Sequence, residues 1–116
     1  MERLVLAFRN SVAALRHLVR NEAAFKQECI MFSISVPLAW WITDALPHFL
    51  LLIFMVLLVL IVEVMNSAIE AACDAITAEH NANIKIAKDC GSLAVLMSLL
   101  AAGLVWFLSF MSWAIG

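Results

Sequence analysis

The chain has 116 residues, of which 66% are hydrophobic and 14% charged, with a mean hydropathy of +1.02. That balance is too apolar for a water-soluble domain of this size and indicates an integral membrane protein. The net charge of −2 leaves no basic excess to recruit a nucleic acid, and the three cysteines, Cys29, Cys73 and Cys90, have no metal-ligand spacing and read as small apolar side chains.

The opening stretch, MERLVLAFRNSVAALRHLVRNEAAFKQE, alternates apolar and charged positions and lacks the uninterrupted apolar core of a cleavable secretory signal. Leu4, Val5, Phe8, Val12, Leu15, Leu18 and Val19 recur at helical spacing, with the arginines largely elsewhere. Residues 1–24 are therefore expected to form an amphipathic helix lying on the membrane surface, held by apolar burial and anionic lipid.

Three apolar runs follow, at residues 29–42, 49–62 and 91–115. A spanning helix needs about 20 residues, so the first two runs must extend into their polar flanks. The expected spans are 25–42, 47–73 and 90–114, with a cytoplasmic connection over 74–89. Every Lys and Arg lies either before the first span (Arg3, Arg9, Arg16, Arg20, Lys26) or between the second and third (Lys85, Lys88). By the positive-inside rule both segments are cytoplasmic. The link TDALPH (43–48) and the tail after Trp113 carry no Lys or Arg and fall outside, where Trp40, Trp41 and Trp113 share the outer interface. This gives an all-α membrane protein with its N-terminus inside and its C-terminus outside. The chain is too small to enclose a large pocket alone, so it is expected to oligomerise.

The second span ends in EVMNSAIEAACD, residues 63–74. At about 100° per residue, Glu63, Asn66, Ser67, Glu70 and Asp74 fall on one stripe, and Val64, Met65, Ala68, Ile69 and Ala72 lie opposite. Intramembrane carboxylates are costly and mark functional sites. Helix packing by interhelical hydrogen bonds would be served by Asn66 and Ser67 alone; it does not account for two glutamates and an aspartate. By topology the stripe meets Asn21, Glu22 and Glu28 ahead of the first span, and Glu79, Lys88 and Asp89 ahead of the third. That is the composition of a magnesium-phosphate site, because Mg²⁺ favours a few carboxylates plus substrate phosphates, a lysine serves as a point charge on phosphate, and a further carboxylate can accept a hydroxyl proton. The only glycines are Gly91, Gly103 and Gly116, so there is no glycine-rich phosphate loop and a nucleotide must be held by side chains. His17, His48 and His80 show no ligand spacing and read as surface residues.

Three blocks carry a resemblance: NEAAFKQE (21–28), VEVMNSAIEAACD (62–74) and AKDCGSLAVL (87–96). In order and spacing they resemble the signature blocks of the small prokaryotic diacylglycerol kinases, and the proteobacterial branch more than the undecaprenol kinases. The resemblance covers nearly the whole chain. It implies a homotrimer of three-span subunits, each with an amphipathic surface helix, in the bacterial cytoplasmic (inner) membrane. It further implies transfer of the γ-phosphate of MgATP to the hydroxyl of diacylglycerol. By position, Glu63 matches the general base, and Glu22 and Glu70 the carboxylates that hold Mg²⁺ with the nucleotide. Arg3, Glu79, Lys88 and Asp89 match nucleotide-binding positions. Asn66 and Asp74 match polar active-site positions, and Arg16, Glu28, Trp41 and Ser92 lipid-side positions. Asn10 stands where an aromatic residue is common, Asn81 where a histidine is common, and Lys26 where an arginine is. Three alternatives stand beside this reading: a kinase of undecaprenol or another lipid alcohol, a small proton-coupled multidrug transporter, and a structural membrane subunit whose polar stripe only packs helices.

Overall fold

A computed structural model of the chain describes residues 1–76 and 79–116. Residues 77 and 78, in the expected cytoplasmic connection, lie outside the described residues. The described chain is helical throughout its regular structure: α1 (Glu2–Asn21), α2 (Ala23–Ile42), α3 (Leu46–Ile76) and α4 (Ala82–Ile115). Two of these, α3 and α4, are long and apolar enough to cross a membrane.

The junctions follow from local chemistry. Glu22 is the single residue between α1 and α2; its backbone is extended (φ −114, ψ 103) and its N–H donates to the Leu18 carbonyl, closing α1. Its own carbonyl accepts from Lys26 N–H at 3.0 Å, opening α2. Glu22 thus stands between the negative end of the α1 dipole and the positive end of the α2 dipole. Within α2, Pro37 cannot donate to the Ser33 carbonyl. The helix continues through it, as transmembrane helices do where hydroxyls and neighbouring helices support the backbone. Ser33 and Ser35 donate to the Cys29 and Phe32 carbonyls nearby. Pro47 falls in the first turn of α3, where a missing N–H costs nothing. α4 begins at Ala82, ahead of the expected 90, because Asn81 caps it: its side-chain oxygen accepts from the Asn83 and Ile84 backbone N–H groups at 2.9 and 3.3 Å.

α3 and α4 pack antiparallel along a seam written in both sequences. On α3 the buried residues Leu52, Val59, Asn66 and Cys73 recur every seventh position, joined by Glu63 and Ser67. On α4 the buried residues are Gly91, Ser98, Ala102 and Ser109, all small. Small side chains let helices approach closely, which is how association is achieved where lipid removes the hydrophobic drive. One register holds throughout: His48 Nε2 shares a hydrogen bond with Ser109 Oγ at 2.8 Å, Trp106 Nε1–H donates to the Leu52 carbonyl at 3.1 Å, and Gly91 meets Asn66. His48 is thus a half-buried seam residue, not the surface residue its spacing suggested. Ala39, Ile42 and Leu52 form the apolar core at this end, with Phe49 and Trp106 packed on it and Trp40 edge-on to Phe49 at 5.6 Å. α2 packs on α3, and α1 chiefly on α2.

Candidate active site

The helical stripe on α3 points inward. Glu63, Asn66 and Ser67 are buried, Glu70 is half-buried and Asp74 is exposed, so the face grades from dry to wet over about three turns. Val64, Met65, Ala68 and Ala72, on the opposite face, are exposed. The lipid-soluble exterior and the polar interior are thus divided within one helix.

The seam positions the polar groups. Asn66 Nδ2 donates to Glu70 Oε1 at 3.1 Å, holding one carboxylate oxygen one turn away. Glu63 lies within electrostatic reach of both Glu70 and Glu22, and Glu28 within reach of Glu63. Four carboxylates from the α1–α2 junction, α2 and α3 therefore share one region. Glu28 Oε2 is buried with no hydrogen-bond partner among the described residues. Glu28 also lines an apolar groove of about 350 Å³ between α2, α3 and α4, whose walls include Met31, Leu38, Val56, Leu99 and Trp106.

At the wet end, Lys88 Nζ donates to Asp74 Oδ1 at 2.8 Å, bridging α4 to α3, and Lys85 donates to Asp89 at 2.6 Å. The hydrogen bond from Lys88 to Asp74 raises the lysine's pKa, with help from the charges of Asp74 and Glu70. Lys88 is accordingly a fixed positive charge beside the carboxylates. Neither bridge was read from the sequence, although the four-residue spacing of Lys85 and Asp89 could have suggested one.

Arg3 and Trp41 are not brought to this cluster within one chain. Arg3 lies about 28 Å along α1 from Glu22, and Trp41 about 20 Å along α2 from Glu28. Arg3, Arg16, Trp41, Glu79 and Ser92 are exposed, although Ser92 adjoins the buried Gly91.

Mg²⁺ fits the donor set only in the shared manner. Among the described residues no three His, Cys, Asp or Glu side chains gather to enclose a metal by themselves. A carboxylate with one oxygen held by Asn66 and a second free, beside others that repel it, matches the one or two protein ligands that Mg²⁺ takes when phosphates complete its shell.

A helical membrane protein with clustered carboxylates at the end of an apolar groove, and a lysine beside them, is the class of protein that these features define. The family described as Prokaryotic diacylglycerol kinase matches residues 9–110. The chain is 43% identical over 105 residues to the diacylglycerol kinase of Escherichia coli K12, covering 90% of this chain and 85% of that protein. It is 35% identical to the diacylglycerol kinases of Haemophilus influenzae, over 89% and 87% of the two chains, and of Pseudomonas aeruginosa, over 91% and 86%. The chain belongs to the prokaryotic diacylglycerol kinase family.

Proposed function

We propose that this chain is one subunit of a homotrimeric, three-span kinase of the bacterial cytoplasmic membrane. It transfers the γ-phosphate of ATP, with Mg²⁺, to the hydroxyl of diacylglycerol, giving phosphatidic acid. The observation that carries this reading is the buried face of α3, Glu63, Asn66 and Ser67 with Glu70 held beside them, in a chain of this family. Family membership sets aside the transporter and the purely structural subunit.

The third span is α2. Its 20 residues extend about 30 Å, the thickness of the hydrocarbon core, and its charged residues lie only in its first two turns. α1 lies on the cytoplasmic surface, where its exposed Leu4, Phe8 and Leu15 meet lipid. The trimer is supported by Arg3 and Trp41, which sit too far from the cluster to serve it within one chain and are available to a neighbouring subunit.

In the reaction the acceptor's acyl chains occupy apolar surface beside α2, and the groove that ends at Glu28 guides its hydroxyl towards Glu63. The hydroxyl oxygen attacks the γ-phosphorus, the bond from that phosphorus to the bridging oxygen of ADP breaks, and the hydroxyl proton passes to the Glu63 carboxylate. Bound Mg²⁺ supplies charge neutralisation on the phosphate oxygens. Glu22 and Glu70 hold it with the nucleotide, Asn66 orients Glu70, and Glu79 and Asp89 join in binding the nucleotide. Lys88 exchanges its hydrogen bond to Asp74 for one to phosphate. Arg16, Glu28, Trp41 and Ser92 serve the lipid side.

The test is purified protein in detergent micelles with γ-labelled ATP, Mg²⁺ and, in separate reactions, diacylglycerol, ceramide and undecaprenol. Labelled phosphatidic acid is the expected product. Label confined to undecaprenyl phosphate would reassign the acceptor, and no labelled lipid would refute the kinase.

A further inference from the structure

Gly91 is buried in the seam of α4, directly against the amide of Asn66. A Cβ built on Gly91 would overlap Asn66 Oδ1, so the amide oxygen occupies the space in which any larger side chain would begin. That oxygen is buried and has no hydrogen-bond partner among the described residues. The other end of the same amide, Nδ2, donates to Glu70 Oε1. Turning the amide over would aim its oxygen at a carboxylate, so Glu70 fixes which end faces Gly91. Gly103, by contrast, has nothing within 4 Å of the space its Cβ would fill. The missing side chain at Gly91 is therefore matched to one neighbour, and is not a general feature of this helix.

The structure assigns to Gly91 the role of a positioning residue in phosphoryl transfer: its lack of a Cβ seats Asn66 between α3 and α4, and Asn66 in turn holds Glu70 with one oxygen occupied and the other turned to the metal and nucleotide. The assignment rests on the reading of Glu70 as a metal and nucleotide ligand. Alanine is a better helix former than glycine, so a loss on replacing Gly91 must come from the collision with Asn66 and not from the helix itself. Positioning errors of this kind are costly, because phosphoryl transfer depends mainly on placement and charge neutralisation.

The test is a double-mutant cycle on the full chain in lipid-detergent micelles, reading kcat and the Mg²⁺ concentration for half-maximal rate. Gly91→Ala and Asn66→Ala are each expected to lower kcat at least 10-fold and to raise the Mg²⁺ requirement. The double variant, in which the collision is gone, is expected to match Asn66→Ala alone. A purely structural glycine would give losses that multiply, and that result, or full activity in Gly91→Ala, overturns the assignment. Should Gly91→Ala fail to fold, the double variant must fold, since shortening Asn66 vacates the space; an unfolded double variant also overturns it. Glu70→Gln in parallel separates the two layers: unaltered Mg²⁺ dependence there removes Glu70 from the metal site, while a non-additive cycle still couples Gly91 to Asn66.

Discussion

Replacing Glu63 by Gln isolates proton transfer from everything else the cluster does. The amide has the size and shape of the carboxylate, so a side chain only 8% exposed keeps its packing, but it cannot take up the hydroxyl proton. Glu63 and Glu70 stand seven residues apart on α3, about 10 Å along the axis. On the proposed reading Glu63, at the buried end, meets a hydroxyl delivered from lipid, whereas the half-buried Glu70 serves the nucleotide. General-base catalysis contributes roughly 100-fold or more, equivalent to about 2.7 kcal/mol of barrier at about 1.36 kcal/mol per tenfold. Turnover should fall by at least that factor while MgATP affinity stays nearly constant. Because Glu63 is repelled by Glu70 and Glu22, removing its charge should not lower the unfolding temperature. The assay is kcat at saturating diacylglycerol beside equilibrium binding of MgATP. Retained turnover would refute the base role, and a matching loss of MgATP affinity would make Glu63 a metal ligand.

Glu22→Gln and Glu70→Gln should each raise the Mg²⁺ requirement sharply while the elution volume on gel filtration matches that of the parent; normal metal titrations in both would remove them from the site. In a background without the native cysteines, a cysteine at Ala45 should react with an impermeant thiol reagent added outside and one at Asn83 should not, and the reverse pattern would invert the topology. The Lys88–Asp74 bridge raises the lysine's pKa, so its contribution is complete below the ordinary lysine value of about 10.4 and is lost as pH rises through the higher folded value. The small difference in melting temperature between the parent and Asp74→Asn should therefore stay constant from neutral pH to about pH 9 and fade above about pH 10; a change near neutrality would contradict the assignment.

Helical content was legible because hydropathy and charge act along the chain. The expected segments 25–42 and 47–73 overlie α2 and α3 to within a few residues, since an apolar segment in lipid satisfies its backbone by staying helical. α4 begins eight residues ahead of the span expected at 90, because Asn81 caps it. The stripe from Glu63 to Asp74 was readable from period alone, and so was its inward direction, because carboxylates do not face lipid. What lay beyond reach were contacts between helices. Gly91 looks like any helical glycine until α3 brings Asn66 against it. The hydrogen-bond partner of His48, Ser109, lies 61 residues away, and that bond exists only in the antiparallel register. Lys88 and Asp74 lie on different helices, 14 residues apart, beyond the reach of a single-helix period.

The central claim, that this chain moves the terminal phosphate of ATP onto a membrane alcohol, is tested most directly by following the transferred atoms. Purified protein, diacylglycerol, Mg²⁺ and ATP carrying heavy oxygen in its γ-phosphate are incubated together, and the lipid and aqueous fractions are read by mass spectrometry. The account predicts phosphatidic acid bearing the heavy oxygens, formed in step with ADP and absent when Glu63→Gln replaces the parent. Heavy oxygen recovered only as free inorganic phosphate, with no phosphorylated lipid, would contradict it.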